Sequence, residues 1–396
     1  MTASRTIVVA GAGIGGLTAS LALAARGFRV IVLERAERLE EVGAGLQLSP
    51  NASRILIDLG LQSDLARHVI VPEAVRVMSA RSGREVARIP LGAAATRHYG
   101  APYWILHRAD LQATLAAHAT AHPGIALRLG TAFEDVASSS YGVTVVQRGH
   151  DGAQHHEQAL ALIGADGVWS GVRDRLFPDL RPRFTGRIAW RGTIDAGQLP
   201  GGFDGRSVQL WMGANAHLVV YPISGGRRIN VVAVVTDGWN KPGWSEPGDA
   251  AEVARHFAAW PAAARALIGA VESWRKWALF GMPDGGAWNK DNVALLGDAA
   301  HAMLPFVAQG AGMAIEDAAV AARCLADAGD DAAAALARYA GLRAPRVTRV
   351  QRAARRTGRI YHLGGAAGVA RDQAIRLLGG ARLLARQDWI YRWRMP

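Results

Sequence analysis

The spacing of apolar and polar residues first predicts a buried parallel sheet. An uninterrupted apolar run ends at Ala10, and a glycine-rich turn leads into an alanine- and leucine-rich segment that closes at Gly27. A second apolar run extends from Val30 to Leu33. Because such runs are typical of strands covered on both faces, this order predicts a strand, a helix and a second, parallel strand. Further strands are predicted at Ile125–Leu129, Val143–Gln147, Ala159–Ile163 and Asn292–Leu296.

Two longer segments, Pro72–Leu106 and Arg181–Gly286, alternate between apolar and polar residues and carry turn residues between the runs. This pattern predicts antiparallel strands of a second sheet. Helices are predicted at Ala52–Leu59, at Ala250–Ile268 and from Met313 to Asp327, and the rest of the C-terminal part is predicted to be helical.

These elements predict an α/β fold with more than one domain, which suits a chain of 396 residues. The first domain is Rossmann-like, with a parallel sheet built on a βαβ unit, and a mainly antiparallel β domain for the substrate is inserted into it. We predict residues 1–71, 106–180 and 287–340 for the first domain, 72–105 and 181–286 for the second, and 341–396 for the C-terminal helices.

Composition narrows the class of protein. Half of the residues are hydrophobic, so the chain can bury sizeable cores. Cys324 is the single cysteine, which excludes an intramolecular disulfide and a cysteine-based zinc site. The apolar stretch Ile7–Ala25 is as long as a membrane span, but its glycines and its strand–turn–helix order explain it better. A signal peptide is also unsuitable, because cleavage would destroy the turn, and we expect a cytoplasmic protein without stable membrane association.

The net charge of +12 arises from 45 lysines and arginines against 33 acidic residues. Such an excess can serve nucleic-acid binding, but it also suits an enzyme whose cofactors and substrate are anions, because a positive field raises their local concentration. No nucleic-acid-binding motif accompanies the charge. Six arginines recur at helical spacing, and we interpret them as a solvated helix face: Arg343, Arg346, Arg349, Arg352, Arg355 and Arg359.

The turn after the first apolar run is Gly11-Ala-Gly13-Ile-Gly15-Gly16, and the second run ends in Glu34. Gly11 allows a tight turn, Gly13 lets backbone amides approach a pyrophosphate, and Gly16 lets the helix pack closely. The helix N-terminus offers unpaired N–H groups to the phosphates. Glu34 stands where a carboxylate accepts hydrogen bonds from a ribose. The segment therefore predicts a dinucleotide site.

Two later strands also end in glycine and aspartate. One leads into Gly164-Ala-Asp166-Gly167, with Ser170 as a helix cap, and the other into Gly297-Asp298. The second is followed by Gly310-Ala-Gly312 at the start of the long helix. Ligands of α/β sheets bind at the carboxyl ends of the strands. The amides of this last turn can face an anion or a carbonyl oxygen.

We call the three glycine- and acid-containing segments the glycine corners. Two polar residues near them are further candidates for contact with the nucleotide. Gln47 lies in a glycine-rich loop over residues 42–51, where it either faces a ligand or serves the loop itself. Arg108 stands at a strand–helix junction, followed by Asp110 near the helix N-terminus. Its side chain either reaches a phosphate or forms a surface ion pair, and the sequence leaves both open.

In this order, GAGIGG…E at 11–34, GADG at 164–167 and GDAAHAMLP…QGAG at 297–312 resemble the single-component flavin-dependent aromatic hydroxylases, the family of p-hydroxybenzoate and salicylate hydroxylase. The resemblance covers nearly the whole chain. It implies FAD as cofactor, NADH or NADPH as co-substrate and a phenolic aromatic acid, salicylate-like or 3-hydroxybenzoate-like, as substrate. It also implies that NAD(P)H reduces FAD and that O₂ then adds at flavin C4a to give a hydroperoxide that hydroxylates the ring.

The family pattern also implies roles for individual residues. Glu34 would meet the adenosine ribose, Arg108 the phosphate–ribityl region and Asp298 the ribityl chain. The Gly310–Gly312 amides would polarise the pyrimidine carbonyls, and Asp166 would hold a turn that serves both nucleotides. The complete set of implied FAD contacts is Gly11, Gly13, Gly15, Gly16, Glu34, Arg35, Gln47, Arg108, Leu129, Asp166, Asp298, Gly310, Ala311 and Gly312.

A ring accepts electrophilic oxygen when it is electron-rich, so a phenol needs a base with a pKa near neutrality. Our candidate is His217, with Tyr221 on the same strand face about 13 Å away. Family members acting on hydroxybenzoates and hydroxynicotinate carry a similar His-x-x-x-Tyr. A buried core pair is the alternative interpretation, and His301, near the flavin and mostly structural in the family, is a second candidate for the base.

The pocket wall has candidates in several segments: Tyr103, Trp190, Arg191, Met303, Leu304 and Pro305. Some family members place a polar side chain at the position of Pro305 for the substrate's hydroxyl or carboxylate. Proline cannot do this, so the position of hydroxylation does not transfer from those members. No metal ligand set is predicted.

Other functions share part of this pattern. An FAD-dependent hydroxylase of an N-heteroaromatic such as 6-hydroxynicotinate fits the same motifs, and so does a lipid-directed flavin reductase or epoxidase. A plain NAD-dependent dehydrogenase shares only the first 34 residues. The expected partners are a small aromatic acid and O₂, without nucleic acid, and a homodimer is an option that the sequence leaves open.

Overall fold

The computed structural model describes residues 5–39, 45–243 and 246–395. In these ranges the strands are β1 (Thr6–Ala10), β2 (Arg29–Leu33), β3 (Gly45–Leu48), β4 (Ala74–Ser79), β5 (Glu85–Pro90), β6 (Trp104–His107), β7 (Ile125–Arg128), β8 (Ala132–Ser139), β9 (Gly142–Arg148), β10 (Gln154–Ala159), β11 (Ala161–Gly164), β12 (Arg183–Asp195), β13 (Val208–Gly213), β14 (Ala216–Ile223), β15 (Arg228–Thr236), β16 (Glu246–Gly248), β17 (Trp274–Gly281), β18 (Asn289–Lys290) and β19 (Val293–Leu295). The α-helices are α1 (Ile14–Ala24), α2 (Pro50–Asp58), α3 (Gln62–Leu65), α4 (Gly92–Tyr99), α5 (Arg108–Ala121), α6 (Gly171–Leu176), α7 (Ala250–His256), α8 (Ala262–Gly269), α9 (Asp298–His301), α10 (Gly310–Asp327), α11 (Ala332–Tyr361), α12 (Gly365–Ala385) and α13 (Asp388–Tyr391).

The first sheet has six strands in the order β18-β19-β11-β1-β2-β7, parallel except for the edge strand β18. The predicted βαβ unit is present as β1, α1 and β2. Every residue of β1 is buried, as its uninterrupted apolar run predicts for a strand with helices on both sides. The α/β fold class is confirmed.

The register of this sheet brings distant segments to one edge. Ala10 at the end of β1 pairs with Leu33 of β2 and with Gly164 of β11, and Gly164 pairs in turn with Leu295 of β19. Because the strands are parallel, the residues that follow each of them emerge side by side. The three glycine–acid segments are therefore neighbours in space.

The second sheet has eight strands in the order β16-β17-β12-β15-β14-β13-β4-β5. One face packs on α7 and α8 around Trp211, Phe257 and Trp274, which forms one core. The opposite face packs on β6, α11 and α12 around Tyr221, Phe306 and Leu384. Its strands come from the two alternating segments, as predicted, and the domain boundaries given above remain a prediction.

Several elements differ from the sequence-based prediction. The run at Val143–Gln147 forms β9 of a separate three-stranded antiparallel sheet, β10-β9-β8. Part of the predicted loop at 42–51 is the strand β3, which pairs with the distant β6; its first residues, 42–44, lie outside the described ranges. The single predicted helix at Ala250–Ile268 is two helices, because Pro261 cannot continue the first one.

Two helices also differ in extent or were not predicted. Helix α2 begins at Pro50, two residues before its predicted start, because proline fits the first helical turn. Helix α4 lies within a segment predicted to contain only strands. In the described ranges, none of the helices combines the length and the hydropathy needed to cross a membrane.

Candidate active site

The glycine-rich turn between β1 and α1 is shaped for a phosphate group. Gly11 has a φ of +104°, and a Cβ there would lie 2.5 Å from the carbonyl oxygen of Ala165. A Cβ on Gly16 would lie 1.9 Å from the carbonyl oxygen of Gly11, so neither glycine accepts a side chain. At Gly13, in contrast, a Cβ would meet no protein atom within 4 Å. This open approach to the N-terminus of α1 fits a pyrophosphate.

The carboxylate of Glu34 is fixed beside this turn. Its Oε2 accepts a hydrogen bond from the Ala12 amide at 2.8 Å, and its Oε1 accepts one from the Ala36 amide at 3.0 Å. Arg35 and Leu129 are exposed near the same edge, because Leu129 follows β7 and β7 pairs with β2. Gly15 faces inward, since a Cβ there would lie 2.7 Å from the Leu296 side chain.

Asp166 holds the second corner together. Its Oδ1 accepts a hydrogen bond from the Ser170 hydroxyl at 2.5 Å, and its Oδ2 accepts one from the Val172 amide at 3.1 Å. Ser170 caps α6 by accepting a hydrogen bond from the Arg173 amide at 2.9 Å, which confirms the predicted cap. Burial raises the pKa of Asp166, and these hydrogen bonds oppose that effect.

The third corner joins β19 to two helices. Gly297 has a φ of +63° and leads directly into α9, whose first residue, Asp298, is exposed at the sheet edge. Helix α10 begins at Gly310, three residues before its predicted start at Met313, and a Cβ on Gly310 would meet no protein atom within 4 Å. The amides of Gly310, Ala311 and Gly312 thus lie at an open helix N-terminus. Buried Gln309 anchors this end by donating a hydrogen bond to the Ser49 hydroxyl at 2.8 Å.

A buried charge network lies behind the third corner. Arg343 contacts Glu316 and Asp317 at 2.7 Å each, and all three side chains are at most 1 % exposed. Asp317 also contacts the imidazole of His301 at 2.5 Å and accepts a hydrogen bond from the Gly297 amide at 3.2 Å. The network ties α10 and α11 to the glycine–aspartate corner. His301 therefore has a structural partner in Asp317, whereas the role of base predicted for it as a second choice has no support here.

The prediction that the arginine stripe on α11 is one solvated helix face is therefore wrong. The exposure of the arginines changes along the helix. Arg343 is fully buried, and Arg346 forms a two-pronged contact with Glu316 at 2.7 and 2.8 Å. Arg352 and Arg355 are more exposed and both contact Asp284. The helical spacing is right, but α10 covers the first part of the helix.

One face of the eight-stranded sheet carries most of the predicted substrate residues. His217 and Tyr221 point to this face of β14, separated by Val219. Arg191 of β12 pairs with Val232 of β15, and Val232 pairs with Val219. Paired residues of neighbouring strands share a face, so Arg191 lies opposite the midpoint between His217 and Tyr221.

Three polar groups meet at the Tyr221 end of this face. The Tyr221 hydroxyl donates a hydrogen bond to the Gly45 carbonyl at 2.7 Å, and the Tyr103 hydroxyl donates one to Gln47 Oε1, also at 2.7 Å. Burial raises the pKa of Tyr221 to about 12, against smaller opposing effects of Arg191 and Gln47. Tyr221 is therefore a neutral hydrogen-bonding group at pH 7.

Arg191 is a half-buried cation without a carboxylate partner in the part of the chain that the structure describes. Its guanidinium stacks on the Trp277 ring at 4.1 Å, and its buried Nε has no hydrogen-bond partner. Burial lowers the pKa of Arg191 to about 10; of its titratable neighbours, Tyr221 acts to raise this pKa and Arg108 acts to lower it. A cation that is partly removed from water and lacks a counter-charge is costly, and an anionic ligand would relieve that cost.

His217 lies in an aromatic environment at the other end of the face. Its Nδ1 is 2.8 Å from Nε2 of His362, and its ring packs against Phe306 at 5.1 Å and Tyr361 at 5.6 Å between centroids. Burial lowers the pKa of His217 well below its usual value, helped by His362 and Arg187. The imidazole is therefore neutral at pH 7.

Trp190 does not belong to this face. It pairs with Ala233, which pairs with Leu218, and its ring packs against His256 at 5.3 Å in the core of the opposite face. The alternation of β12 separates it from its neighbour Arg191. The structure thus corrects the prediction that Trp190 lines the same pocket as His217.

The segment after α9 contributes a residue that the sequence analysis missed. Leu304 is buried with Tyr221, Met303 is half-buried against the first sheet's core, and Pro305 is exposed in a short 3₁₀ turn. The next residue, Phe306, contacts His217. His362 was also missed, because it lies 145 residues from His217 and no local motif marks it. The prediction that the C-terminal part is helical does not single it out.

The fold and the open glycine corners define a class of nucleotide-binding flavoprotein. A family model described as FAD binding domain matches residues 4–354. The chain belongs to this family, within the single-component FAD-dependent aromatic hydroxylases, and is an aromatic-ring monooxygenase. Its cofactor is FAD, with the NAD(P)H co-substrate typical of this family.

Particular relatives cover almost the whole chain. A 3-hydroxybenzoate 6-hydroxylase of Klebsiella oxytoca is 35 % identical over 393 residues, covering 98 % of this chain and 97 % of that protein. A 3-amino-4-hydroxybenzoate 2-monooxygenase of Streptomyces platensis is 40 % identical over 358 residues, covering 90 % and 88 %. The structure of a salicylate hydroxylase substrate complex superposes with a TM-score of 0.83 at 26 % identity, covering 98 % of this chain and 95 % of that one.

Proposed function

We propose that this protein hydroxylates the ring of an aromatic acid that also carries a hydroxyl group, with salicylate and 3-hydroxybenzoate as the closest models. One observation carries the proposal. A single sheet face presents the half-buried guanidinium of Arg191, whose buried Nε has no hydrogen-bond partner among the described residues, and the buried, neutral imidazole of His217. An aromatic hydroxy acid has one group for each of them.

The spacing suits such a ring. Neighbouring strands lie about 4.8 Å apart, so the row from Arg191 to Val219 spans roughly 10 Å, and His217 lies about 7 Å further along β14. The long guanidinium and the shorter imidazole then approach one ring from two sides. The relatives named for hydroxybenzoate substrates support the same class of ligand.

We assign the following parts to the side chains. Arg191 binds the carboxylate through charge-assisted hydrogen bonds. His217 meets the ring hydroxyl and favours its ionised form, as the sequence analysis predicts for a base. Tyr221 and the Tyr103–Gln47 pair orient the ring and close the pocket to water.

FAD is held by the three corners at the edge of the parallel sheet. The open turn around Gly13 takes the pyrophosphate, Glu34 the adenosine ribose, and Asp298 with the N-terminus of α10 the flavin end. Asp166 keeps its turn in shape, and Arg108 contributes positive charge close enough to Arg191 to lower the Arg191 pKa. When bound, FAD supplies the redox and oxygen-transfer chemistry, and the protein supplies orientation and charge.

The decisive experiment compares acids with matched phenols. FAD-loaded protein is assayed for NAD(P)H oxidation and for product with 3-hydroxybenzoate, salicylate, 6-hydroxynicotinate and phenol. We expect the acids to exceed phenol in kcat/KM by about 10- to 100-fold, the value of one or two charge-assisted hydrogen bonds. Equal rates for phenol and every acid, with product formed, would refute the carboxylate requirement.

Two variants test the residue assignments. Arg191→Met should raise KM for the acids by about 10- to 100-fold and leave phenol unaffected. His217→Ala should abolish most hydroxylation while FAD binding, read by flavin absorbance, stays intact. Arg352→Met, an exposed arginine on α11, is the matched control for loss of one positive charge.

A cytoplasmic location is also part of the proposal, since the co-substrate NAD(P)H is a soluble cytoplasmic metabolite. Fractionation of cells that express the protein, followed by flavin and activity measurements in each fraction, tests it. Recovery of the activity outside the cytoplasmic fraction would overturn this assignment.

A further inference from the structure

The two histidines at the edge of the pocket form a pair. Nδ1 of His217 lies 2.8 Å from Nε2 of His362, and both side chains are at least nine-tenths buried. His217 comes from β14, whereas His362 directly follows α11 as its C-cap. Each ring therefore commits one nitrogen to the other, and Nε2 of His217 is the nitrogen left for a ligand.

Two neutral imidazoles at this distance share one bridging proton, which permits two arrangements. In the first, Nδ1 of His217 donates to His362, and Nε2 of His217 has a free lone pair that accepts a proton. In the second, Nε2 of His362 donates to His217, and Nε2 of His217 carries a proton that it can donate. The first arrangement makes His217 a base, and the second makes it a hydrogen-bond donor.

The surroundings of His362 decide between them. Its Nδ1 is buried and has no hydrogen-bond partner among the described residues. The charged groups that act on the pair are Arg187 of β12 and Arg371 of α12, of which Arg371 is itself paired with Asp372 at 2.8 Å, and Tyr361 is the titratable neighbour on α11. The first arrangement would put a proton on Nδ1 of His362, leaving a buried N–H without an acceptor at a cost of about 1–3 kcal/mol. The second leaves a lone pair there, which nearby cations favour.

We propose that His362 is a positioning residue that fixes the proton of His217 on Nε2, so that His217 donates a hydrogen bond to the ionised ring oxygen of the substrate. This inference rests on the proposed function and refines one part of it. The imidazole stabilises the ionised oxygen instead of removing its proton. The phenolic proton is released to solvent as the ionised substrate binds, and the histidine pair keeps its proton count.

Proton release upon binding tests this directly. The FAD-loaded protein is mixed at pH 7 with 3-hydroxybenzoate, without NAD(P)H, in weak buffer with a pH indicator. The ultraviolet spectrum of the ligand reports its ionisation in the same sample. We expect the ionised spectrum and release of about one proton for each bound ligand. An ionised spectrum without proton release would mean that the pair keeps the proton as a base, and the proposal would fall.

Variants at position 362 separate positioning from packing. The amide N–H of His362→Gln can still donate to His217, so this variant should lose least. His362→Leu removes the donor, and we expect the pKa of the bound phenol to rise by about one unit, or tenfold weaker binding of the ionised form. Tyr361→Phe is the control, since it keeps the ring beside His217. If the leucine and glutamine variants show the same pKa of the bound phenol and unchanged thermal stability, His362 acts only by packing, and the positioning role is refuted.

A third measurement does not depend on any aromatic ligand. Histidine labelled with ¹⁵N in the FAD-loaded protein, assigned with the His217→Ala and His362→Gln variants, reports which ring nitrogen carries the proton. We expect the Nε2-protonated form of His217 in the wild type. The Nδ1-protonated form would overturn the inference even if hydroxylation is established. The Nε2-protonated form in a protein that hydroxylates none of the acids would instead refute the proposed function and leave the tautomer assignment standing.

Discussion

Replacing Arg343 by methionine removes the cation that two buried carboxylates share. Arg343 contacts Glu316 and Asp317 at 2.7 Å, and all three side chains are at most 1 % exposed. Methionine replaces the unbranched stem of arginine and has a comparable volume, so the main change is the loss of the charged guanidinium. Removing one partner of a buried ion pair costs about 3–5 kcal/mol, because the remaining charges lose their compensation. Glu316 keeps Arg346 and Asp317 keeps His301, so we expect the lower end of this range.

Urea denaturation of the FAD-saturated protein at pH 7, followed by circular dichroism and flavin fluorescence, measures this loss. The matched control is Arg352→Met on the same helix, because Arg352 is 68 % exposed and pairs with Asp284 at 2.9 Å. Exposed pairs of this kind contribute about 0–1 kcal/mol. We therefore expect a clear difference between the two methionine variants.

The loss should depend on pH in a defined direction. Although burial alone would raise the pKa of Asp317, His301 and Arg343 together hold it below its usual value. A carboxyl whose pKa is lowered in the folded state stabilises the protein above its unfolded pKa, which is about 3.9, and this contribution disappears as the pH falls through the folded value. The deficit of Arg343→Met should thus be largest near pH 7 and shrink below about pH 4.

The result that refutes this reasoning is a deficit of Arg343→Met no larger than that of Arg352→Met. Such a result would mean that the network relaxes or hydrates without cost once the guanidinium is gone. A large deficit that does not change with pH would point to packing around the side chain and not to its charge.

Two further predictions concern the FAD site and the sheet face. Gly16→Ala should abolish FAD binding and destabilise the fold, because its Cβ would lie 1.9 Å from the carbonyl oxygen of Gly11, whereas Gly13→Ala should fold normally and only weaken FAD binding. Flavin fluorescence titration measures FAD binding and circular dichroism measures folding, and equal folding defects in the two variants would contradict the assignment. Trp190→Phe should cost about 1–3 kcal/mol of stability and leave KM for the aromatic acid within about twofold, because Trp190 packs on the face away from His217. A large change in KM, measured by steady-state kinetics, would contradict this placement.

The parts of the site that the sequence predicted are those built by short segments. The Gly11–Gly16 turn, the Asp166 corner and the start of α10 each consist of a strand end, small residues and a helix start. Backbone geometry at these points depends on neighbouring residues, so the local pattern was sufficient to place them. Their convergence followed from the rule that parallel strands present their carboxyl ends at one edge.

The substrate face was predicted less completely, because a strand pattern fixes which residues share a face but not which face meets the ligand. Arg191 and Trp190 are neighbours in sequence and both were candidates. The packing of α7 and α8 on one side of the sheet directed Trp190 into a core and left Arg191 opposite His217. That choice depends on contacts between elements far apart in the chain.

By itself, the sequence determined the βαβ nucleotide fold, the three acidic glycine corners and the strand that carries His217 and Tyr221, because each depends on periodicity and on short-range backbone chemistry. Only the tertiary structure decided that Arg343 is buried against Glu316 and Asp317 and that His362 binds His217. Those contacts join residues up to 145 positions apart, and their energy comes from mutual burial in a low-dielectric interior, which no local pattern encodes.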